Sequence, residues 1–409
     1  MSVASKAKIT VVGGVYHERC MRPQWQEVFG SAGRAAMAIA SMSCRVDLVS
    51  YFDLTTKAVF EAHGALADVT LCPVMIDQAV AFDYYHGLNT PRISIPASGL
   101  QPLQVAADCV VRYGMLEGDA LVTCQRAVYD PQNARRAVHF DENGSSAEEL
   151  ALVLNGREAH MLSGLKNSSA EDMAKSLVAR KKASVVVIKL GAWGALVHDG
   201  KETVRVSAYE TPHVWKIGSG DNFSAHFAYR WIIEGRSASE SAELASKATA
   251  YYCQTKGFAT HKKLAAFEPK QFSPSEAFQS GRVPTIYLAG PFFTLAQLWM
   301  VEQARDDLRA MGFKVFSPYH DVGHGSAEDV VEKDVQAINA ADLLFAISDG
   351  LDSGTIYEIG YARAKGKPVV MYCESESAED QKMMEGSGCI VSRDYVTAIY
   401  KALWTAASL

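Results

Sequence analysis

The sequence predicts an α/β protein with two domains, the second of which is a smaller, doubly wound parallel sheet. Three observations lead to this prediction. The chain has 409 residues, which is enough for two or three domains with packed cores. Short apolar stretches alternate with helical ones, as in the β-α-β units of parallel sheets. A stretch without apolar periodicity divides the chain at 263–283.

The dividing stretch gathers Pro, Ser, Gly and charged residues, beginning KLAAFEPKQFSPSEAF. This composition is typical of a linker. The apolar run TIYLAG follows it directly and indicates the first strand of a new domain. We therefore predict a first domain over 1–262, a linker over 263–283 and a second domain over 284–409.

In the first domain, six apolar stretches predict strands and four periodic stretches predict helices. The strands are expected at 8–14, 45–52, 120–124, 149–155, 184–191 and 195–200, and the helices at 31–42, 168–182, 221–234 and 237–255. Alternating apolar residues between 68 and 100 predict a small flanking β-sheet.

In the second domain, the alternation of strands and helices is regular. Strands are expected at 285–290, 314–318, 342–348, 368–373 and 388–392, with helices at 295–311, 327–341 and 354–365 and a closing helix. Ligands bind at the carboxyl ends of the strands in such sheets. The residues that follow each strand are therefore the candidates for a site.

Composition bounds the class of protein. The formal net charge is -6, and no basic tract suggests a nucleic-acid partner. No segment approaches the roughly 20 apolar residues of a membrane span, and the N-terminus lacks the apolar core of a signal peptide. Eight cysteines occur without C-x-x-C spacing, which favours a reducing compartment. We expect a cytoplasmic protein with no membrane or nucleic-acid partner.

The first candidate site is the stretch IGSGDNF. Gly218, Ser219 and Gly220 precede a predicted helix whose first polar residue is Asp221. Backbone N–H groups at such a turn, together with the helix N-terminus, bind anions well. Asp221 would then take the proton of an attacking hydroxyl in phosphoryl transfer. Alternatively, Asp221 is only the N-cap of the helix.

Two further stretches accompany this turn. Asn155 and Glu158 lie at the end of a predicted strand and suit the waters of Mg²⁺ and phosphate oxygens. Gly191 and Gly194 form a turn between two predicted strands and leave space for a nucleotide. The three stretches together resemble the PfkB, or ribokinase-like, family of sugar and nucleoside kinases, over most of 8–260.

This resemblance implies a ribokinase-like fold with ATP and Mg²⁺ as cofactors. It implies that Asp221 is the catalytic base, that Gly218–Gly220 form an anion hole, and that Asn155 with Glu158 forms the metal and phosphate site. The sequence departs from the family where the sugar is bound, because VYHERC and GSAGRAAMA stand in place of the usual Asp and G-G-x-x-x-N signatures. Glu18 replaces the Asp, and Ala35 and Ala36 offer no hydrogen bond where the Asn is expected.

The second candidate site is DSGTIYEIGYA, after the predicted strand 342–348. Thr355 and Glu358 fit the capping box T-x-x-E, and Asp352 suits the positive end of the helix macrodipole. Both carboxylates also suit catalysis, so the pattern leaves the two interpretations open. After the first strand of this domain, Gly290 and Phe292 provide a tight turn and an aromatic ring fit to stack on a flat base.

Residues 284–373 resemble the nucleoside 2-deoxyribosyltransferase family, on the spacing from D-S-G-T to E-I-G-Y-A and on IYLAGPFF. The resemblance implies a flavodoxin- or Rossmann-like fold that needs no cofactor. Glu358 would be a nucleophile that forms a covalent glycosyl intermediate, and Asp352 would handle the leaving base. Asp342, Tyr287, Gly290 and Phe292 would bind the base or line the pocket. A pocket completed by a neighbouring subunit implies a homo-oligomer, at least a dimer.

The sequence therefore predicts a bifunctional enzyme of nucleoside metabolism with small-molecule nucleoside, nucleotide and sugar substrates. One domain cleaves or transfers at the N-glycosidic bond of a nucleoside or nucleoside monophosphate, as a transferase or a hydrolase. The other is an ATP-dependent sugar or nucleoside kinase. The alternative is that the N-terminal domain is a degenerate nucleotide sensor that regulates the other domain.

Overall fold

The computed structural model describes residues 7–96, 99–132, 136–180, 182–323 and 325–409. The chain forms two compact units, one of Met1–Thr211 with Trp215–Gln271 and one of Pro212–Val214 with Phe272–Leu409. The predicted linker, 263–283, contains the boundary between the two units, which falls between Gln271 and Phe272. No helix of the described residues is long and apolar enough to span a bilayer.

In the described residues, the first unit holds three β-sheets and the helices that cover them. Its elements in the described residues are β1 (Lys8–Val12), β2 (His17–Cys20), β3 (Trp25–Val28), α1 (Gly30–Ala40), β4 (Arg45–Phe52), α2 (Leu54–Leu66), β5 (Val69–Met75), β6 (Ala81–Tyr84), β7 (Arg92–Ser94), β8 (Leu103–Tyr113), β9 (Ala120–Asp130), β10 (Ser146–Asn155), α3 (Gly156–Ser163), α4 (Ala170–Ala179), β11 (Val185–Lys189), β12 (Ala195–His198), β13 (Thr203–Val206), β14 (Tyr209–Glu210), α5 (Ser219–Ala228), α6 (Ala238–Thr255), α7 (His261–Ala266) and β15 (Lys270–Gln271).

The main sheet of this unit has nine strands in the order β13-β12-β11-β10-β9-β8-β1-β4-β5. The strands from β11 to β5 are parallel, whereas β12 and β13 run antiparallel to their neighbours. Successive side chains of a strand point to opposite faces. Accordingly, Val153 and Val187 join one core with α1, α5 and α6, and Leu152 and Val186 join another with α3 and α4. The predicted α/β architecture of this unit is confirmed.

Several elements of this unit were not predicted from the sequence, among them the helices α2 and α3, the strand β8 and half of the flanking sheet. No strand was predicted for β8, yet Leu103 and Val105 at its start pack in the same core as Val110 near its end. The flanking sheet predicted between 68 and 100 is present as β3-β2-β6-β7. Half of its strands come from before α1, in a stretch with no clear apolar alternation.

The described part of the second unit holds a five-stranded parallel sheet in the order β17-β16-β18-β19-β20. The chain moves first to one side of β16 and then to the other, so the switch point of the sheet lies between β16 and β18. Its elements in the described residues are α8 (Glu276–Gln279), β16 (Thr285–Ala289), α9 (Leu295–Ala310), β17 (Lys314–Phe316), α10 (Pro318–Asp321), α11 (Ala327–Ala340), β18 (Leu343–Ile347), α12 (Ser353–Ala364), β19 (Val369–Tyr372), α13 (Ala378–Gly386), β20 (Ile390–Ser392) and α14 (Tyr395–Ala407).

Two candidate active sites

In the second unit, Glu358 and Tyr287 meet at the switch point of the sheet. Glu358 lies on the second turn of α12, which follows β18, and Tyr287 lies in the middle of β16. The Tyr287 hydroxyl donates a hydrogen bond of 2.6 Å to Glu358 Oε1. The Tyr287 ring is fully buried and stacks on Phe316, with ring centroids 5.5 Å apart. The carboxylate is therefore fixed by a residue that cannot move freely.

Asp352 caps α12, and Glu358 does not. The Asp352 carboxylate accepts hydrogen bonds from the Thr355 backbone N–H at 2.9 Å and from the Thr355 hydroxyl at 3.0 Å. A capping box between Thr355 and Glu358, one of the two interpretations of the sequence, is therefore wrong. Because the cap is supplied by Asp352, the Glu358 carboxylate is left for another role.

Burial raises the pKa of Glu358 to about 7, and the nearby carboxylates of Asp334 and Asp352 add to this, whereas the Tyr287 hydrogen bond lowers it. Asp334 lies on α11, and burial raises the pKa of its carboxyl group as well. Its Oδ1 is buried without a hydrogen-bond partner in the described structure. Asp334 is thus a third acid at this site to which the sequence motif assigned no role.

Asp342 lies at the other end of the sheet. It comes directly before β18, at the amino end of the strand. Its carboxylate accepts a hydrogen bond of 2.8 Å from the Thr285 backbone N–H and pairs with the Arg282 guanidinium. The structure does not bring Asp342 together with Glu358, and its contacts tie the start of β16 to the start of β18.

Gly290 and Phe292 do lie at the carboxyl edge, after β16. A Cβ atom at Gly290 would lie 3.2 Å from Cβ of Ile347 at the end of β18, so glycine allows the two strand ends to approach closely. The Phe292 ring packs on Phe293 and Tyr319, with both centroid separations 5.3 Å. Aromatic rings from the ends of two strands thus border the edge at which Glu358 lies.

In the first unit, Asp221 is the third residue of α5, and Gly218 occupies the N-cap position in a left-handed conformation, with φ of 73°. The interpretation of Asp221 as an N-cap is therefore wrong. Both carboxylate oxygens accept hydrogen bonds from side chains. Arg34 Nη1 donates to Oδ2 at 2.8 Å, and the Gln132 amide donates to Oδ1.

Arg34 is a functional candidate that the sequence reasoning missed. It lies on α1, its side chain is 0% exposed, and it pairs with Glu18 as well as with Asp221. A buried charge is costly unless it is paired and hydrogen-bonded. The one available signal was an arginine among small residues in GSAGRAAMA, where the surrounding helix has no solvent-facing pattern.

A cavity of about 220 Å³ adjoins these residues. Glu18, Asp221 and Gln132 supply polar groups to its wall. Three aromatic rings, from Tyr16, Phe82 and Tyr84, form another part of the wall and stack in a row, with centroid separations of 5.4 and 6.2 Å. Gly218 and Gly220 of the predicted anion hole also line it. The cavity therefore joins the anion hole to the sugar-binding region that the sequence predicts.

Asn155 and Glu158 form a reciprocal capping box at the start of α3, with hydrogen bonds of 2.7 and 2.9 Å. Burial raises the pKa of Glu158 to about 7, and the Asp130 carboxylate adds to this. Asp130 pairs with Lys189 and accepts a hydrogen bond from Ser224, but its Oδ1 is buried without a partner in the described structure. The carboxylate oxygens of Glu158 and Asp130 are ligands of the kind that a hard divalent cation binds.

The two glycines of the predicted nucleotide turn have different roles. Gly194 has a φ of 84°, and a Cβ atom there would lie 1.9 Å from the Val206 carbonyl oxygen. Glycine is therefore required at 194 for packing against β13. Gly191 is left-handed, with φ of 62°, and nothing lies within 4 Å of the position of its Cβ atom.

Two lysines flank the predicted anion hole. Lys216 Nζ donates a hydrogen bond of 3.1 Å to Ser219 Oγ. Burial, with the nearby Lys189 ammonium, lowers the pKa of Lys216. Lys189 Nζ lies 3.6 Å from the position that a Cβ atom of Gly220 would take. The start of α5 thus combines backbone donors with two ammonium groups, which suits a phosphate.

The fold and these sites define a protein with a ribokinase-like α/β unit followed by a parallel-sheet unit. Residues 150–263 match the family model of pfkB family carbohydrate kinases. Residues 286–391 match that of nucleoside 2-deoxyribosyltransferases. Both resemblances noted in the sequence are thereby confirmed, and an enzyme is indicated. No curated protein matches the chain.

The solved structures similar to this chain include kinases of the ribokinase family. Arabidopsis thaliana ribokinase, complexed with ribose and ATP, is 16% identical, with a TM-score of 0.50 over 64% of this chain and 98% of that one. Ribokinase from Thermotoga maritima is 17% identical, with a TM-score of 0.47 over 64% and 98% of the two chains. The nucleoside kinase of Methanocaldococcus jannaschii is 14% identical, with a TM-score of 0.47 over 63% and 97%. At such identity the likeness to the Arabidopsis enzyme shows the fold of the first unit.

Proposed function

We propose that the chain is a bifunctional enzyme of nucleoside metabolism, in which the second unit breaks or exchanges an N-glycosidic bond through Glu358. The observation that carries this proposal is the Glu358 carboxylate, which accepts a hydrogen bond of 2.6 Å from Tyr287 and lies after β18, at the carboxyl edge of the sheet. A carboxylate in this position can trap the anomeric carbon of a sugar as a covalent intermediate.

The other acids at this site divide the remaining work. As Glu358 attacks the anomeric carbon, the electrons of the glycosidic bond pass to the base, which then needs a proton. Asp352, at the start of the same helix, is the group proposed to supply it. Asp334 faces Glu358 from α11 and is available to bind polar groups of the base. Water or a second base releases the sugar from Glu358, which makes the enzyme a hydrolase or a transferase.

This proposal is tested by the release of free base from a panel of ribo- and deoxyribonucleosides and their 5'-monophosphates. The informative variant is Glu358→Gln, which keeps the shape and hydrogen-bonding capacity of the side chain but not a nucleophilic carboxylate. Glu379→Gln is a matched control, because its side chain is 80% exposed on α13 of the same unit. We expect release by the wild type and the control and none by Glu358→Gln. Release by Glu358→Gln at the wild-type rate would exclude Glu358 as the nucleophile.

We further propose that the first unit transfers a phosphoryl group from ATP to a sugar or nucleoside. Asp221 takes the proton of the attacking hydroxyl, and Gly218–Gly220 with Lys216 bind the phosphoryl group. When bound, Mg²⁺ neutralises the charge of the phosphates, and Glu158 with Asp130 would hold it through water. The contacts of Asn155 support only an indirect role, because its side chain caps the helix that carries Glu158.

The kinase proposal is tested by ADP formation with sugars and nucleosides, including the sugars that the second unit releases. Asp221→Asn is expected to abolish ADP formation, whereas Asp108→Asn, at an exposed position of β8, is expected to leave it unchanged. ADP formation that does not depend on any added acceptor would contradict the proposal.

One observation favours the alternative of a nucleotide sensor. Both oxygens of the Asp221 carboxylate already accept hydrogen bonds from side chains, as they would in a site that binds without reacting. In that case ATP would change the rate of base release by the second unit, through different affinities for two states of the protein. A rate that stays constant across ATP concentrations excludes this alternative.

A further inference from the structure

The Arg34 guanidinium joins two carboxylates that lie far apart in the sequence. Nη2 pairs with Glu18, Nη1 donates to Asp221 Oδ2 at 2.8 Å, and Nε donates to the Tyr252 hydroxyl at 3.0 Å. Nη1 also donates to the Gly30 carbonyl at 3.2 Å. Because a guanidinium is a planar, rigid fork of donors, its partners are fixed relative to one another.

Glu18 and Asp221 line the cavity of about 220 Å³, whereas Arg34 is not among the residues of its wall. Arg34 is 0% exposed, and Glu18 and Asp221 are 5% and 8% exposed. A ligand in this cavity would therefore meet both carboxylates and would not meet the guanidinium. The spacing of the two acids at the cavity wall is set by a residue that does not itself touch the ligand.

We infer that Arg34 is a positioning residue, which holds Glu18 and Asp221 so that each of them contacts a different hydroxyl of the same acceptor molecule. Glu18 accepts a hydrogen bond from one hydroxyl. Asp221 takes the proton of the other, whose oxygen attacks the γ-phosphorus of ATP while ADP leaves with the electrons of the broken bond. The acceptor is then a polyol or sugar with two neighbouring hydroxyls. This inference rests on the proposed kinase function of the first unit.

The surroundings of Arg34 are built around it. A Cβ atom at Gly218 would lie 2.0 Å from Arg34 Nε, so position 218 must be glycine while Arg34 is present. The Tyr252 hydroxyl, which accepts from Arg34, donates in turn to the Ile217 carbonyl at 3.0 Å. The guanidinium is thereby tied to the residue before the anion hole. Such support from surrounding residues keeps a reacting group within the narrow range of geometry that catalysis needs.

The charges around Glu18 provide a readout that a purely structural role would not change. Burial raises the pKa of Glu18, the Arg34 guanidinium opposes this rise, and the Asp221 carboxylate adds to it. Tyr84 on β6 and Tyr252 on α6 also face this group. Without Arg34, two buried carboxylates would remain with no cation between them. Glu18 would then hold its proton to a higher pH, and the acidic limb of the kinase pH profile would move upward.

The test compares Arg34→Met and Arg34→Lys in the full chain with Arg45→Met, a control at an exposed position of β4. We expect kcat/KM for the acceptor to fall about 100-fold in Arg34→Met, the effect of displacing a reacting group by about 1 Å. We also expect its acidic limb to rise by at least about one pH unit and KM for ATP to change less than about twofold. Arg34→Lys keeps the charge, so we expect its kcat/KM and its acidic limb to lie between those of the wild type and those of Arg34→Met. An acidic limb that does not move in either variant overturns the inference.

A wild type that phosphorylates no acceptor would instead overturn the proposed kinase function, and the role of Arg34 would still be measured. ¹³C-carboxyl NMR gives the pKa of Glu18 directly, with the signal assigned by its loss in Glu18→Gln. Thermal unfolding shows whether each variant is folded, and Arg34→Gln, which also removes the charge, replaces Arg34→Met if the latter is not. A rise of the Glu18 pKa in the Arg34 variant supports the positioning role, and an unchanged value overturns it.

Discussion

The hydrogen bond from Tyr287 to Glu358 makes a specific prediction for Tyr287→Phe. This substitution removes only the hydroxyl, and a phenylalanine ring keeps the stacking on Phe316. The pKa of Glu358 is about 7 with the hydrogen bond in place, and the hydrogen bond lowers it. Without the bond, the ionised form loses a donor at 2.6 Å, so the pKa of Glu358 must rise.

The size of this rise follows from the strength of the bond. A hydrogen bond to a charged group contributes about 1.5–3 kcal/mol, and one pKa unit corresponds to about 1.4 kcal/mol. The pKa of Glu358 should therefore rise by about 1 to 2 units. At pH 7 the ionised fraction would fall from about one half to between roughly one tenth and one hundredth, a loss of about 5- to 50-fold in rate.

The assay is the pH profile of kcat/KM for base release between pH 5 and about 9.5, a range that spans the expected limb. A nucleophilic carboxylate must be ionised, so the rate falls as the pH drops through its pKa. We expect an acidic limb near 7 in the wild type and near 8 to 9 in Tyr287→Phe, so that the difference between the two rates becomes small at high pH. The control is Tyr361→Phe on α12, the helix that carries Glu358. The Tyr361 hydroxyl hydrogen-bonds to Asn339 and not to Glu358. An unshifted limb, or an equal loss at every pH, would refute the reasoning.

Three further predictions concern other residues. Asp352→Asn keeps the cap of α12 and should leave the melting temperature unchanged, while base release falls about 10²- to 10⁴-fold because the proton donor is lost; a loss that is equal for bases of every leaving ability would argue against that role. Asp342→Ala removes the contacts with Thr285 and Arg282 and should lower the free energy of unfolding by about 1–3 kcal/mol, with base release per folded molecule unchanged; a selective rise in KM would restore Asp342 to the pocket. Gly194→Ala places a methyl group against the Val206 carbonyl and should lower the free energy of unfolding by about 2–4 kcal/mol, as measured by denaturant unfolding. Gly191→Ala should lower it by about 1–2 kcal/mol. Equal losses would show that only the backbone conformation matters.

The sequence was most informative where a single stretch carries both the fold and the site. The run VVVIK of β11 is buried on both faces and is recognisable as a strand without any knowledge of its neighbours. Likewise, the motif around Asp352 and Glu358 follows its strand directly, so the parallel sheet places it at the carboxyl edge. Asp342 shows the limit of the family resemblance, which gave it a role in base binding although the predicted strand 342–348 begins at this residue and so places it at the opposite end of β18.

Contacts between residues that are distant in the sequence could not be predicted. Arg34 and Asp221 are 187 residues apart, and nothing in either local pattern indicates that one binds the other. The cap of α12 was also not decided by the pattern, because Asp352 and Thr355 both fit the start of a helix. The register of the helix start, which only the folded chain fixes, selects Asp352 and leaves Glu358 one turn further along.

The order of strands in the first sheet has a consequence for how this protein can be divided. The segment that matches the carbohydrate kinase family begins at residue 150 and reaches only the strands from β10 to β13, at one end of the nine-stranded sheet. A gene fragment cut at the ends of that match would encode the anion hole but not β1, β8 or β9, and neither Glu18 nor Arg34. Its open sheet edge and bare apolar face would favour aggregation. The smallest part of the chain that could be moved into another protein is therefore the whole first unit. A comparison of sequences that is limited to the matched segment leaves out Glu18, which is proposed to bind the phosphoryl acceptor, and Arg34, which is proposed to position Glu18.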